Sequence, residues 1–533
     1  MNPRYIIFSC HGIQLDWYVA MAPILRRRVG WRSMAWVAGR RDFLRAQSSG
    51  AFDEVVDVIQ GFDRFAPEVE ARHSANLAGL REYELRFGDL HFHEDASLDR
   101  CLGGIGDVTV NSLHFRNRWR PAQIAAVALH MLRRMDASLA DKEVLLALGE
   151  HNSLRYRLAC WLLQSNGAPY ICPYTVSHAQ GRFFFDSVDN AWPACEQAYA
   201  RCLQGLVSSE SLRLAEQRWH QIVVEKAKPS YFAQGSRGAP ALKERLQWRR
   251  LLAHLREWRE ARSPERLSDP GAPAPEIHSP AAYLARYGSG RRRRRYYEHL
   301  VCRRLPSQKY AAYFLHSQPE YTIDGLAFEY RDQVAFVRNV VANLPADVLL
   351  LVKEHRAEAG RRSEWFYGEL VSIPNVILVH DLINAADIIR QAALTVTLTG
   401  TVALESVCFG VPCVVFGKTN YSIFRGVYKV RGFAHFRELT RQLDQLRPAT
   451  REEAVAALAA RLEVSYPGNF LPTTPEDIRM LTEGLIQECR RRGMPVEESP
   501  QPALPEAESP MQFGQAHVTV RDLQMRAGAG SNQ

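Results

Sequence analysis

The 533-residue chain is predicted to be an α/β protein with two Rossmann-like domains, a helical insertion between them and a disordered C-terminal tail. Three observations carry this expectation. The length exceeds what a single hydrophobic core serves, so two domains are expected. Short apolar runs alternate with helical stretches in both the N-terminal and C-terminal parts, the pattern of parallel sheets with helical crossovers. Hydrophobic residues make up 46% and charged residues 23%, a globular balance.

RYIIFS (4–9) reads as the first strand, and a helix is expected from Asp16 through WYVAMAPILRRR, with Pro23 inside it. SMAWVAG (33–39), EVVDVI (54–59) and EVLLALG (143–149) read as further strands. A helix over 152–163 and the stretch APYICPY follow. From about 191 the pattern changes to long charged helices, over 211–228 and 241–262, and then to a Pro/Gly/Ser-rich loop over 263–280.

The C-terminal half is the clearest. Strands are expected at AAYFLH (311–316), DVLLLVKEH (347–355), NVILVH (375–380), LTVTL (394–398) and PCVVFG (412–417). Helices are expected over 330–344, 383–392, from Thr401 onward, and over 475–492. The divisions are therefore 1–208 for the N-terminal domain, 209–305 for the insertion, 306–494 for the C-terminal domain and 495–533 for the Pro/Glu/Ser-rich tail.

Composition narrows the partners. The formal net charge is +9, from 67 Lys and Arg against 58 Asp and Glu. That suits a phosphorylated substrate, an anionic membrane surface or nucleic acid. No RNA-recognition signature, zinc knuckle or helix-turn-helix pattern supports nucleic acid, so none is expected as a partner. The ten cysteines form no CxxC pair and read as reduced core residues. No run reaches the roughly 20 apolar residues of a membrane span, and MNPRYIIFSCHG does not read as a signal peptide, so a cytoplasmic protein is expected.

Three polar patches follow apolar strands. In LTVTLTGTVALES, Thr399, Gly400 and Thr401 turn the chain into a helix. A helix start offers unpaired N–H groups to an anion, and small residues let a phosphate approach. Glu405, four residues past Thr401 on the same helix face, suits ribose hydroxyls. A plain threonine N-cap with a solvated glutamate is the competing reading. In LLLVKEH, Lys353 and His355 alternate on one side of a strand end and are expected to face a ligand. In FLHSQPEYT, His316, Gln318 and Glu320 add polar groups at the same edge. Convergence of three such loops favours a binding site over three unrelated surface loops.

The order FLHSQPEYT, VKEH after a strand, then TGTVALESVCFGVPCVVFG resembles the bacterial capsule and surface-polysaccharide biosynthesis proteins. These are similar to nucleotide-sugar glycosyltransferases of the two-domain GT-B arrangement. The resemblance covers mainly residues 310–425. Relatives that use CMP-activated sugars, the Kdo and sialic acid transferases among them, carry a His-Pro pair after a corresponding strand. His355 matches the histidine, and Arg356 stands where the proline would be. The resemblance implies a nucleotide-sugar donor on Lys353, His355, Thr399, Gly400, Thr401, Glu405, His316, Gln318 and Glu320.

It also implies a glycan or lipid-linked glycan acceptor in the N-terminal half. An inverting transfer needs one general base there. Glu150 in LALGEHNS is the first choice, with His11 and Asp16 in SCHGIQLD and Asp186 or Asp189 in FFFDSVDN as further candidates. No DxD motif occurs, so a metal-independent transfer without cofactor is expected. The run Arg291 to Arg295 reads either as a solvated basic face or as a contact for anionic lipid headgroups, which would place the protein peripherally on the inner membrane. Two rival functions share the fold: a nucleotide-sugar 2-epimerase, which needs no acceptor, and a non-catalytic assembly protein docking through the helical insertion.

Overall fold

The computed structural model describes residues 4–10, 12–88, 91–99, 119–175, 181–227, 255, 280–318, 320–356, 358–468 and 474–496. Apart from residue 255, the helix expected over 241–262 lies outside them, as do the tail beyond 496 and the loop over 263–279.

Two six-stranded sheets organise the chain. The first contains β1 (Arg4–Ser9), β2 (Arg32–Val37), β3 (Glu54–Asp57), β4 (Glu143–Leu148), β5 (Tyr170–Thr175) and β6 (Arg182–Asp186), in the order β3-β2-β1-β4-β5-β6. All pairs are parallel except β5 with β6. The second contains β7 (Tyr310–Phe314), β8 (Leu349–Lys353), β9 (Val376–Val379), β10 (Leu394–Thr397), β11 (Cys413–Val415) and β12 (Val427–Lys429), in the order β12-β11-β10-β7-β8-β9, all parallel. Tyr5 to Ser9 of β1 and all of β10 are buried, as expected of strands covered by helices on both faces. Two strands were not apparent from the sequence, β6 and β12. The first helix starts at Ile13, three residues before Asp16, and ends on Gly30, whose φ of 67° supplies a left-handed cap.

Both sheets reverse their strand order once. In the first the reversal falls between β1 and β4, in the second between β7 and β10. The crossovers on either side of a reversal leave in opposite directions and open a crevice at the carboxyl ends of those two strands. Cys10 and Gly12 follow β1, and Glu150 and His151 follow β4. His316 follows β7, and Thr399 to Thr401 follow β10. The fold therefore sets the patches after β7 and β10 at a crevice, while Lys353 and His355 follow β8, the next strand along.

The last helix does not stay with the C-terminal sheet. Pro475–Arg491 crosses to the N-terminal domain, where Ile478, Leu481, Leu485, Ile486 and Cys489 join Ile6, Phe8, Leu15 and Tyr18 in one apolar cluster. Arg492 pairs with Asp186, and Arg28 with Glu483 at 3.2 Å. In the segment expected to be an insertion, Ser209–Val223 packs on Arg451–Glu463 and Val402–Phe409, with Trp219 Nε1 donating to the Cys408 carbonyl at 3.2 Å. The helix Pro280–Leu300 packs on Glu364–Ser372. Both described helices of that segment therefore pack on elements of the C-terminal half.

Candidate functional site

The C-terminal crevice is built on His316. Its Nε2 accepts from the Leu398 amide at 3.4 Å and lies 3.3 Å from Thr397 Oγ1, which in turn accepts from the Gly400 amide at 3.0 Å. Burial, then the neighbouring His355 and Arg362, push the ring's pKa down to about 3, so it is neutral. With Nε2 accepting, its proton sits on Nδ1. A Cβ on Gly400 would lie 2.8 Å from Thr397 Oγ1 and 3.4 Å from His316 Cε1, so this turn admits no side chain without displacing them. Next to it, Thr401 caps Val402–Phe409 without a side-chain cap bond, and the amides of Thr401 and Val402 donate to no group among the described residues. Gly400, Thr401 and Val402 are half-buried, so the bend is open on one side. Thr401 Oγ1 donates to Glu405 Oε1 at 3.4 Å, which ties that carboxylate to the bend.

Other expected donor residues are placed differently. Lys353 is buried and its Nζ donates to the carbonyls of Asp381 at 2.8 Å and Glu354 at 3.4 Å, turned along the sheet edge toward β9. Gln318 is buried, and its amide is engaged by Arg331, Asp324 and Gln333, so it builds the loop rather than facing the crevice. The Thr399 hydroxyl donates to the Thr322 carbonyl at 2.7 Å, leaving only its backbone to line the bend. Glu320 is exposed and accepts from the Thr322 hydroxyl at 3.0 Å.

His355 is half-buried, with Nδ1 3.4 Å from Ser317 Oγ, and the same hydroxyl donates to Glu358 at 3.4 Å. Burial lowers the His355 pKa and raises that of Glu358. Ser317 and Glu358 went unremarked in the sequence; both lie within three residues of a noticed histidine, which was the available signal. Behind them Glu354, fully buried, takes Arg362 Nε at 2.7 Å and the Tyr367 hydroxyl at 3.0 Å. Arg362 Nη1 has no hydrogen-bond partner among the described residues, so its two N–H groups remain unengaged, while Nη2 of the same guanidinium donates to the His316 carbonyl.

In the N-terminal crevice, Glu150 Oε1 accepts from Gln14 Nε2 at 3.1 Å, and the Tyr156 hydroxyl donates to Gln14 Oε1 at 3.2 Å. The Tyr170 hydroxyl donates to the Glu150 carbonyl at 2.8 Å, an approach that a Cβ on Gly149 would block at 1.9 Å. Asp16 is paired with Arg45, and Asp186 with Arg492, so neither carboxylate is disposed as a base. Asp189 pairs with Lys418 across the domains at 3.0 Å. His11 lies outside the described residues.

The two crevices meet. The Tyr174 hydroxyl of the N-terminal domain is held well above its ordinary pKa by burial first, then by Glu320, Tyr421 and Glu150. Acids of both domains, Glu150 and Glu320, thus act electrostatically on one ring. Beside them a cleft of about 440 Å³ is lined by Arg157, Trp161 and Asp189 from one domain and Lys418 from the other.

Residues 302–463 match the family model described as capsule polysaccharide biosynthesis protein. Over that segment the chain is similar to the capsule polysaccharide biosynthesis family. No curated protein matches it. Similar solved structures include KpsC of Thermosulfurimonas dismutans, a beta Kdo 2,4 transferase, at 12% identity and TM-score 0.31, covering 65% of this chain and 88% of that one. The beta Kdo 2,7 transferase of the same organism's KpsC is 15% identical at TM-score 0.24, covering 38% of this chain and 64% of that one, under two thirds of its length. The UDP-GlcNAc 2-epimerase of Methanocaldococcus jannaschii is 10% identical at TM-score 0.24, covering 86% and 98%. The two facing Rossmann-like sheets form a GT-B-like fold.

Proposed function

We propose that this protein is a glycosyltransferase of surface-polysaccharide synthesis that moves a sugar from a nucleotide-sugar donor to a glycan acceptor across the cleft between its domains. One observation carries the reading: the amides of Thr401 and Val402, which donate to no group among the described residues, open at a strand-order reversal beside neutral His316.

In this reading the donor phosphate rests on the bend, with the His316 Nδ1–H and His355 as further hydrogen-bond partners. Glu405 takes the ribose hydroxyls. Glu150 receives the proton of the acceptor hydroxyl as its oxygen bonds to the anomeric carbon and the carbon–oxygen bond to phosphate breaks. Attack from the face opposite the leaving phosphate inverts the anomeric centre. The negative charge that develops on the leaving phosphate is met by a helix N-terminus and by neutral donors already in place, which need no reorganisation during the reaction.

The test is direct. Purified protein is titrated calorimetrically with CMP, UDP, GDP and CDP, and then incubated with sugars activated by the nucleotide that binds. Binding of one nucleotide, with release of that nucleotide accelerated by a polysaccharide acceptor, is expected. Interconversion of the donor sugar without acceptor would make the protein an epimerase, and binding of none of the four would remove the donor site.

A further inference from the structure

The five-arginine run does not hang free. Arg292 is bonded to Glu364 at 2.7 and 3.0 Å, and Arg294 to Glu298 and to Asp381, the latter at 3.1 Å. Arg293 is half-buried against the body. These contacts clamp Pro280–Leu300 to the C-terminal domain, while Arg291, Arg292, Arg295 and His299 remain exposed along one stripe, with Arg303 and Arg304 just beyond the helix end. The acids near this stripe already have basic partners. Glu364 takes Arg292, and Glu298 takes Arg294 and Arg303. Basic side chains outnumber acidic ones along the exposed stripe.

Two large apolar side chains stand in the same region with no cover. Trp365 is 53% exposed and Leu382 is 65% exposed. Each follows directly on a carboxylate that the arginine helix grips, Glu364 and Asp381 respectively, so the two flank that helix. A tryptophan and a leucine projecting beside a fixed arginine stripe combine the two forces that hold a protein at a bilayer surface: partition of an aromatic ring into the headgroup layer and attraction to anionic lipid.

We propose that Trp365, Leu382 and the stripe Arg291, Arg292 and Arg295 form a docking face for an anionic lipid bilayer. Its position gives it a use in the proposed reaction, on which only this last point depends. The Asp381 carbonyl accepts from Lys353, so Leu382 lies at the carboxyl edge of the C-terminal sheet, the edge that carries His316 and His355. A bilayer on this face lies alongside that edge, within reach of a lipid-linked acceptor.

Co-sedimentation of the full chain with vesicles tests the face without requiring turnover. Vesicles of phosphatidylglycerol with phosphatidylethanolamine are compared with vesicles of phosphatidylcholine. Binding to the anionic vesicles, weakened by salt, is expected. The double variant Arg291→Glu/Arg295→Glu and the double variant Trp365→Ser/Leu382→Ser are each expected to weaken it by about tenfold or more. Nucleotide binding measured on the same samples reports that both variants are folded and that the donor site stands independently. Equal affinity for both vesicle types, no affinity for either, or wild-type binding by both variants would overturn the proposal. Nucleotide binding without vesicle binding would overturn it while leaving the glycosyltransferase reading intact.

Discussion

The imidazole of His151, at the carboxyl end of β4, packs against the ring of Tyr321 from the C-terminal domain, tilted by 42° with centroids 4.2 Å apart. Both rings are buried. The Tyr321 hydroxyl accepts from Arg157 Nη1 at 3.1 Å and donates to the Val188 carbonyl, so one side chain of the second domain is held by three groups of the first. Tyr321→Phe leaves the buried Arg157 N–H and Val188 carbonyl without that partner. A loss of about 1–3 kcal/mol is expected. Urea unfolding of the variant against wild type measures it, and an unchanged midpoint would show that the hydroxyl contributes nothing.

The same histidine sets an acid limit. Burial, then Arg157, pushes its pKa down to about 3 from an ordinary 6.5. Between these values the unfolded chain binds a proton that the native state refuses, so stability falls as pH drops from about 6.5 toward 3. The slope is about 1.4 kcal/mol per pH unit for one such group. His316 acts in the same direction over the same window. His151→Phe is expected to flatten the pH dependence of the urea midpoint below pH 6.5; a slope equal to wild type would contradict the neutral buried ring.

Gly400→Ala addresses the bend. Its Cβ would meet the buried Thr397 Oγ1 at 2.8 Å and the half-buried His316 Cε1 at 3.4 Å, so the bend must shift to admit it. Nucleotide affinity is expected to fall by about tenfold or more through displacement of the amides, with little change in thermal stability. Calorimetric titration reads the first quantity and a thermal scan the second.

Glu150→Gln keeps the hydrogen-bonding shape around Gln14 but cannot accept a proton. Turnover is expected to drop by roughly 10²–10⁴-fold, the range for loss of a general base, while nucleotide affinity stays within about twofold. Retention of full turnover would move the base elsewhere in the N-terminal crevice.

Glu354→Ala is expected to be far more damaging to stability than to any single contact in the crevice. It strands the fully buried Arg362, and breaking such a pair costs about 3–5 kcal/mol. Poor yield of folded protein and a lowered unfolding midpoint are the readouts. Glu354→Ala combined with Arg362→Met is expected to recover part of the loss.

Much of this architecture is legible in the chain itself. The apolar runs ending in GEH, KEH and TGT mark strand ends, because a buried strand must turn polar where it leaves the sheet. Three of the groups singled out at those ends, His316, Gly400 and Thr401, do meet at one crevice. What the sequence hides is long-range pairing. In VKEH the acid is fully buried, because its guanidinium partner lies eight residues on and is brought back by a turn. Lys353 faces the Asp381 carbonyl because β9 neighbours β8, a fact of sheet order that no local pattern encodes. The arginine run looked like a loose basic tract because Glu364 and Asp381, which hold it, are more than 70 positions away. The division at 306–494 followed chain order, whereas the apolar stripe of Pro475–Arg491 answers to Phe8 and Tyr18.

That returning helix has a consequence for how the protein is made. Its apolar side covers Ile6, Phe8 and Leu15, which leave the ribosome more than 400 residues earlier. Those side chains wait through synthesis of both sheets before their own cover arrives. The first domain to be translated is thus the last to close, and nascent chains stalled anywhere before position 475 should depend on a holding chaperone at that surface.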